Sequence, residues 1–170
     1  MAGDNICFKP IGYVRTSVPD EAIRKATSYT HESFIEILPE YREGLEGLEG
    51  FSHIIVVFHL HRVPEEARKT LKVRPRRLLR LGFRLEELPL VGVFATDSPH
   101  RPNPIGITVA ELLGVEPSGL RVRGLDAFDG TPVLDIKPYT PHRRVEIRSL
   151  PEWYRRLWEE AERRGLRTEL

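Results

Sequence analysis

The chain has 170 residues, 40% of them apolar and 30% charged, with a net charge of +1, which is typical of a soluble globular protein of one domain. No apolar run approaches the roughly 18 residues of a membrane-spanning helix, and the first residues lack the pattern of a secretory leader, so we expect a cytoplasmic protein without a membrane segment. A single cysteine, Cys7, excludes an internal disulfide, and the six histidines show no metal-ligand spacing, so we expect no metal.

Alternating apolar residues in the first part of the chain predict short β-strands. An opening strand is expected over Ile6–Tyr13, with Pro10 marking an edge or a bulge. A loop with about one helical turn follows over Thr16–Thr30, and Ser33–Leu38 alternates as a strand. Tyr41–Leu48 predicts a short helix.

The most apolar stretch, Phe51–Leu60, is rich in β-branched residues and predicts a central strand buried on both faces. It runs into a basic segment, Arg62–Arg84, in which nine basic side chains meet only two glutamates. This charge excess favours binding to RNA phosphates, although a solvated face with internal ion pairs has the same composition. Within it, Thr70–Arg76 predicts a strand and Leu78–Leu85 an irregular connection.

The second half of the chain predicts further strands. Val91–Ala95 alternates, and a hairpin is expected from Ile107–Val115 and Leu120–Leu125, because a Pro-Ser-Gly turn joins them. The Asp-Gly pair within Asp126–Thr131 favours a tight turn, and Pro132–Ile136 predicts the last strand.

A helix over Leu150–Arg164 is expected to close the fold, with a capping box at Ser149–Glu152 and Gly165 at its end. Its expected apolar stripe consists of Trp153, Leu157 and Ala161. Many short strands and one terminal helix indicate a mainly β fold: a small single-domain β-barrel over residues 1–170, with irregular connections and a C-terminal α-helix.

The stretch Val91–Ile107, VGVFATDSPHRPNPIGI, places a polar loop between two predicted strands. Its three prolines fix their own backbone and restrict the residues before them. The polar side chains between them are therefore held with little entropy left to lose on binding. The loop predicts a binding site, with a rigid crossover at a barrel rim as the alternative.

Three strings resemble the TsaA/TrmO-like family: FATxSPHRPNPIG in this loop, DGTPVLDIKPY at Asp129–Tyr139 and GLEGFSHI at Gly47–Ile54. Their order and spacing also match, over about 90 of the 170 residues. Members of that family are S-adenosylmethionine-dependent tRNA methyltransferases built on a small β-barrel. The resemblance implies methylation of the exocyclic nitrogen of threonylcarbamoyladenosine beside the tRNA anticodon.

The resemblance and the two polar turns also imply which residues bind S-adenosyl-L-methionine. One of them, Asp97, stands where many relatives carry Arg, so a charge is reversed beside the expected site. The implied cofactor-binding residues are Ile23, Arg24, Lys25, His61, Arg62, Asp97, Arg101, Asn103, Ala127, Phe128, Asp129, Gly130 and Thr131.

Methyl transfer requires alignment of the reactants and an acceptor for the proton of the nucleophile. The sequence offers three candidate bases without choosing among them: His100, Asp129 and Asp135. No P-loop, nucleophile elbow or dinucleotide fingerprint suggests another chemistry.

The expected partners are tRNA and a second copy of the chain. The basic segment is expected to hold phosphates of the anticodon arm through Arg74, Arg76 and Arg77. A homodimer is expected because relatives pair and a small barrel has little room to enclose both a cofactor and a base. Two alternatives stay open: a non-catalytic RNA-binding module of the same fold, and a methyltransferase for another nucleoside or a small molecule.

Overall fold

The computed structural model describes residues 6–26, 28–147 and 149–165. These residues form two compact units. The barrel unit draws its described residues from the spans Met1–Arg24, Tyr29–Arg62 and Pro104–Tyr139. The second unit draws them from the spans Lys25–Ser28, Val63–Asn103 and Thr140–Leu170. A single domain over residues 1–170 stays a prediction.

Within the described residues, the regular elements are eight strands, two α-helices and several short 3₁₀ helices. The strands are β1 Gly12–Arg15, β2 Glu32–Ile37, β3 His53–His59, β4 Lys72–Val73, β5 Val91–Gly92, β6 Ile105–Glu116, β7 Gly119–Arg123 and β8 Pro132–Pro138. The α-helices are α1 Asp20–Lys25 and α2 Glu152–Arg163. The 3₁₀ helices are Pro39–Leu45, Glu65–Lys69, Arg76–Leu81, Leu85–Glu87, Val93–Ala95 and Pro141–Arg143.

Six of the strands close an antiparallel barrel in the order β1-β2-β7-β6-β3-β8. This confirms the predicted mainly β barrel with a C-terminal helix. The alternating segments fold as predicted because each places one apolar face in the barrel interior. The inward core residues are Val14, Ile35, Ile37, Ile54, Val56, Phe58, Ala110, Leu120, Val122 and Val133.

The prediction that Phe51–Leu60 is buried on both faces is wrong. Within β3, Ile54, Val56 and Phe58 are buried, whereas the outward residues Ile55 and Val57 are only half-buried. A strand of a closed barrel has one face in the interior and one outside.

Two predicted strands are shorter in the structure of the second unit. Thr70–Arg76 contains only the two strand residues of β4, since Pro75 lacks an amide donor and a 3₁₀ helix follows it. Val91–Ala95 leaves its strand after β5 and continues as the 3₁₀ helix Val93–Ala95. β4 and β5 pair only with each other, antiparallel, with Lys72 opposite Gly92.

The C-terminal helix carries its predicted apolar stripe into a separate core. Leu157 and Ala161 are buried, and Trp153 packs beside them. The capping box is wrong: Pro151 occupies the N-cap position of α2, and no side chain caps that end. A Pro is well tolerated at the start of a helix because the amide it lacks would have no partner there. No helix in the described part of the chain is long and apolar enough to cross a membrane.

Gly106 of β6 provides a direct test of the barrel interior. A Cβ at this position would overlap the ring of Phe58, which is 1% exposed. Gly106→Ala is expected to lower the free energy of unfolding by about 1–3 kcal/mol, measured by urea denaturation. The control Gly44→Ala, whose Cβ meets nothing within 4 Å, is expected to leave it nearly unchanged.

The same overlap predicts a non-additive double variant. Phe58→Leu should cost less stability in the Gly106→Ala background than in the wild type, because the smaller side chain relieves the overlap. Equal stability of Gly106→Ala and the wild type would contradict this packing.

Candidate functional site

One end of the barrel gathers most of the sequence-predicted residues of the barrel unit. At this end β1, β3 and β7 finish and β2, β6 and β8 begin. We call it the rim. The segments that leave the rim are residues 16–24, 60–62 and 124–131, which include the predicted positions 23, 24, 61, 62 and 127–131.

A cluster of charged side chains surrounds the ring of Phe128 at the rim. The guanidinium carbons of Arg24 and Arg62 each lie 5.2 Å from the ring centroid, within the range of a cation–π contact. Arg62 also forms an ion pair with Asp20 and donates to the backbone oxygen of Asp129 at 3.3 Å. These five residues form the rim cluster, which fixes two cations beside one aromatic ring.

The turn that carries Phe128 is fastened to β1 by backbone bonds. Gly130 N donates to Val14 O at 2.8 Å, and Val14 N donates to Thr131 O at 2.9 Å. Gly130 has a φ of +74°, and no atom of the described residues lies within 4 Å of the position a Cβ would take. A side chain there would therefore strain the backbone and fill open space at the rim, rather than crowd other atoms of the turn.

Three of the predicted cofactor residues bury their side chains. Ile23 is 3% exposed, and Ala127 and Thr131 are similarly buried. Ile23 and Ala127 can offer a ligand only backbone polar groups, since their side chains carry no polar atom. By contrast Arg24 and Asp129 are exposed, and Arg62 is exposed with its Nε directed to the ring of His61 at 3.3 Å.

At the rim end of β2, two buried polar atoms have no hydrogen-bond partner among the described residues: Nε2 of His31, just before the strand, and Oγ of Ser33 within it. Buried polar groups are normally satisfied, so each such atom calls for a partner. Ser33 points inward like Ile35 and Ile37, so a serine at an inward position of an alternating strand is a signal that sequence reasoning overlooked. Asp20 was also missed, and it has no sequence signal, because its partner Arg62 lies in a distant segment.

The rigid polar loop belongs to the second unit, and Arg101 holds its backbone. The Nη2 atom of Arg101 donates to Val93 O at 3.1 Å and to Thr96 O at 2.8 Å. The hydroxyl of Thr96 accepts from Ser98 N at 3.2 Å. The guanidinium of Arg101 thus stabilises the loop, while His100 and Asn103 in the same unit are exposed.

Asp97 lies close enough to Tyr154 of α2 to influence it. Burial raises the pKa of the Tyr154 phenol, the negative charge of Asp97 raises it further, and the positive charge of Arg77 lowers it. All three residues belong to the second unit. The carboxylate of Asp97 therefore has an electrostatic neighbour in the second unit, the phenol of Tyr154.

Some arginines of the basic segment form hydrogen bonds or ion pairs with other residues of the second unit. Lys69, Lys72 and Arg76 are exposed, and in the described part of the chain they form no ion pair. The segment therefore contains both internal bonds and cations available to phosphates. The bonded groups are Arg68 with Glu65 at 3.1 Å, Arg74 with Leu88 O, Arg80 with Ala26 O at 2.9 Å, and Arg84 with Glu86 at 3.4 Å.

The three candidate bases lie in different environments. Asp129 is on the rim turn, and its Oδ1 accepts from Thr16 N at 3.1 Å. Asp135 faces outward from β8 and pairs with Lys137 at 2.7 Å. His100 is on the loop of the second unit, where its backbone amide donates to the hydroxyl of Ser98 at 3.3 Å.

Two other features lie outside this set. A groove of about 310 Å³ at the opposite end of the barrel is lined by residues that include Arg42, Glu46 and Glu116. Its glutamates make it unsuitable for an anionic substrate. Among the residues described, no group of three or more His, Cys, Asp or Glu side chains is placed to hold a metal ion.

Residues 15–143 match the family described as the tRNA-methyltransferase O N-terminal domain. Among curated relatives, a probable S-adenosyl-L-methionine-binding protein of Pyrococcus abyssi is 42% identical over 139 residues, covering 80% of this chain and 69% of its own. A similarly named protein of Methanothermobacter thermautotrophicus is 43% identical over 82% of this chain and 93% of its own. A tRNA (adenine(37)-N6)-methyltransferase of Mus musculus is 38% identical over 82% of this chain and 32% of its own.

Solved structures give the same family. A crystal structure of TrmO superposes with a TM-score of 0.64 at 35% identity, covering 88% of this chain and 62% of that one. TrmO from Pseudomonas aeruginosa gives a TM-score of 0.63 at 33% identity, covering 86% of this chain and 62% of that one. The chain thus spans about three fifths of the length of these solved proteins.

The proximity of Asp97 and Tyr154 can be measured. Asp97→Asn is expected to lower the pKa of Tyr154, because it removes the negative charge that opposes ionisation of the phenol. Arg77→Gln is expected to raise it. Tyrosinate absorbance during a pH titration reports the change, and Tyr154→Phe identifies this residue among the five tyrosines. An unchanged titration in Asp97→Asn would show that the two groups do not interact.

Proposed function

The chain belongs to the tRNA-methyltransferase O family, and from that premise we propose that it is an S-adenosylmethionine-dependent methyltransferase. Its proposed substrate is tRNA, at the exocyclic N6 of threonylcarbamoyladenosine beside the anticodon. The name of the mouse relative supports the adenine-N6 assignment, and the names of the archaeal relatives support the cofactor.

The observation that carries the proposal is the rim cluster beside the open turn. A ligand that combines an adenine, ribose hydroxyls and a carboxylate needs an aromatic or apolar face, hydrogen-bonding groups and a cation. Phe128 supplies the face, and Arg24 and Arg62 supply cations within 5.2 Å of its centroid. Gly130 leaves open space in front of the turn.

The orphaned atoms at the same rim fit this ligand as well. Oγ of Ser33 and Nε2 of His31 are buried without hydrogen-bond partners, and either can bond to a hydroxyl or an amino group. S-adenosylmethionine, when bound, supplies a methyl group activated by a sulfonium. The other proposed contacts at the rim are those predicted from the sequence in the barrel unit, namely Ile23, His61, Ala127, Asp129 and Thr131. For Lys25, Asp97, Arg101 and Asn103, which belong to the second unit, cofactor contact stays a prediction.

Proton removal from the attacking nitrogen is proposed for Asp129. One of its oxygens accepts from Thr16 N, which orients the carboxylate, and the other is left for a substrate proton. Asp135 is a weaker candidate because Lys137 occupies its carboxylate. His100 is the second candidate, on the rigid loop.

The anticodon arm is proposed to bind along the basic segment. Arg76 is the strongest of the three predicted contacts, since Arg74 is bonded to Leu88 O and Arg77 lies near Tyr154. Lys69 and Lys72 join it as exposed cations without ion pairs among the described residues. Phosphate contacts of this kind supply affinity that weakens with salt.

Calorimetry with S-adenosylmethionine tests the proposal. The wild type is expected to bind, and Gly130→Val is expected to lose binding because its side chain fills the open space at the rim. Gly47→Val is the matched control: Gly47 has a φ of +82° and equally open surroundings, but it lies away from the rim. Both variants should lose similar stability, and only Gly130→Val should lose the ligand.

Two results would contradict this assignment. No heat from the wild type at millimolar ligand would leave a non-catalytic RNA-binding module as the better account. Equal losses of binding in Gly130→Val and Gly47→Val would place the ligand elsewhere.

We also propose that the chain pairs with a second copy through the outer apolar face of the barrel. This face consists of Ile55 and Val57 on β3 and of Ile105, Ile107 and Val109 on β6. The strands set Ile55 opposite Val109 and Val57 opposite Ile107, and Ile107 is 69% exposed. Exposed apolar residues in adjacent positions mark an interaction surface.

A second copy of the chain suits this face because both a positive and a negative side chain lie at its edge. The ion pair of Asp135 with Lys137 lies on β8, where the register puts Asp135 opposite Val57 and Lys137 opposite Ile55. A two-fold axis places the same patch on both partners, so opposite charges at its edge can meet their counterparts.

Ile107→Glu is therefore expected to convert a dimer to a monomer without unfolding it, as judged by light scattering at micromolar concentration. Val145→Glu, at an exposed apolar residue of the second unit, is the control and should stay dimeric. A monomeric wild type would defeat the proposal, as would a dimeric Ile107→Glu.

A further inference from the structure

Phe94 is an aromatic side chain that the proposed cofactor site does not use. Its ring is 78% exposed, while its neighbour Val93 is 1% exposed. It lies on the 3₁₀ helix Val93–Ala95 of the second unit. Exposing a large ring costs free energy in water unless a partner covers it.

The backbone that presents this ring is held on several sides. Arg101 donates to the carbonyl oxygen of Val93, the first residue of the short helix, and to that of Thr96, which follows the helix. The Thr96 hydroxyl also donates to Val93 O at 3.0 Å, and Val93 N donates to Leu71 O at 3.0 Å. The backbone that carries the ring is therefore pre-organised, so little backbone entropy is lost when something stacks on the ring.

The charge around Phe94 favours an anionic partner. Residues 63–103 of the second unit contain nine basic and five acidic side chains. Lys72 lies opposite Gly92, two residues before Phe94. Lys69 and Lys72 are exposed and, within the described residues, form no ion pair.

We propose that Phe94 is a stacking platform for a nucleobase of the RNA substrate, with Lys72 and Lys69 holding neighbouring phosphates. The inference rests on the proposed function, whose substrate is tRNA, and adds a base contact to it. A nucleobase fits because it covers a ring with one flat face and carries its own phosphate.

Binding of an RNA hairpin with an anticodon-type loop tests the platform. Phe94→Ala is expected to weaken binding between about five-fold and about 150-fold, the range found for loss of one base–aromatic stack. Phe94→Tyr should keep the affinity, and Phe94→Leu should not restore it, because it lacks a π face. Ile147→Ala, which trims an equally exposed apolar residue of the second unit, is the control and should bind like the wild type.

An abasic version of the same hairpin identifies the contact as a base. The wild type should lose affinity for it, and Phe94→Ala should lose little more, so the two changes are not additive. Salt dependence separates the neighbouring cation: Lys72→Gln should reduce the log–log slope by about one, and Phe94→Ala should leave the slope unchanged.

Three results would overturn the proposal. The first is RNA affinity equal to that of the wild type in Phe94→Ala, and the second is full affinity in Phe94→Leu. The third is a Phe94→Ala variant that loses the dimer but still binds RNA, because Phe94 would then be a contact between copies of the chain. Calorimetry with S-adenosylmethionine tests the proposed function separately. A chain that binds RNA through Phe94 but not S-adenosylmethionine would retain the platform and refute the methyltransferase.

Discussion

The pairing of β1 with β8 is the constraint on which the candidate site depends. Gly12 and Tyr13 lie opposite Val133 and Pro132, and this short contact closes the barrel. It draws the turn that ends at Thr131 against β1. There the backbone of Val14 accepts a hydrogen bond from Gly130 N and donates one to Thr131 O. Without this closure, Phe128 would not meet the segment after β1, whereas the pairing of β8 with β3 already brings it to the segment after β3.

The rim cluster is a consequence of that closure. Arg62 follows β3, Asp20 follows β1, and Phe128 precedes β8, so three distant parts of the sequence meet at one ring. The ion pair with Asp20 and the bond to the Asp129 backbone orient the guanidinium of Arg62. Because the barrel fixes these segments, the cations and the ring are in place before a ligand arrives.

The second unit achieves rigidity by a different route. Its polar loop has little regular structure. Two of the loop's backbone carbonyls accept hydrogen bonds from the side chain of Arg101, where a strand would bond to a neighbouring strand. A residue whose charge suggested a ligand contact therefore also has a structural task. Arg74 likewise donates to Leu88 O. A count of basic residues therefore overstates the number of side chains available to contact RNA.

Much of the barrel could be predicted because its strands alternate, and alternation follows directly from one buried face. The family resemblance, carried by three strings, was confirmed by the family match. The burial of Phe51–Leu60 was misjudged because the outward residues Ile55 and Val57 are as apolar as the inward ones, although they are only half-buried. The capping box failed because Pro151 took the N-cap position itself.

The turn at Ala127–Thr131 was accessible to sequence reasoning because Asp-Gly requires an unusual backbone, which Gly130 adopts. The pairing of Arg62 with Asp20 was not accessible, since it depends on which strand ends meet. The unpartnered hydroxyl of Ser33 could be predicted only in part. Its inward position follows from alternation, but its lack of a partner emerges only from the packed structure.

The most direct test of the central claim uses S-adenosylmethionine with a deuterated methyl group. The chain is incubated with tRNA that contains threonylcarbamoyladenosine and with the same tRNA lacking that modification, and the nucleosides are analysed by mass spectrometry. We expect the labelled methyl group on threonylcarbamoyladenosine and nowhere in the unmodified tRNA. Label on a different nucleoside, or none on either tRNA by a chain that binds the cofactor, would contradict the proposed reaction.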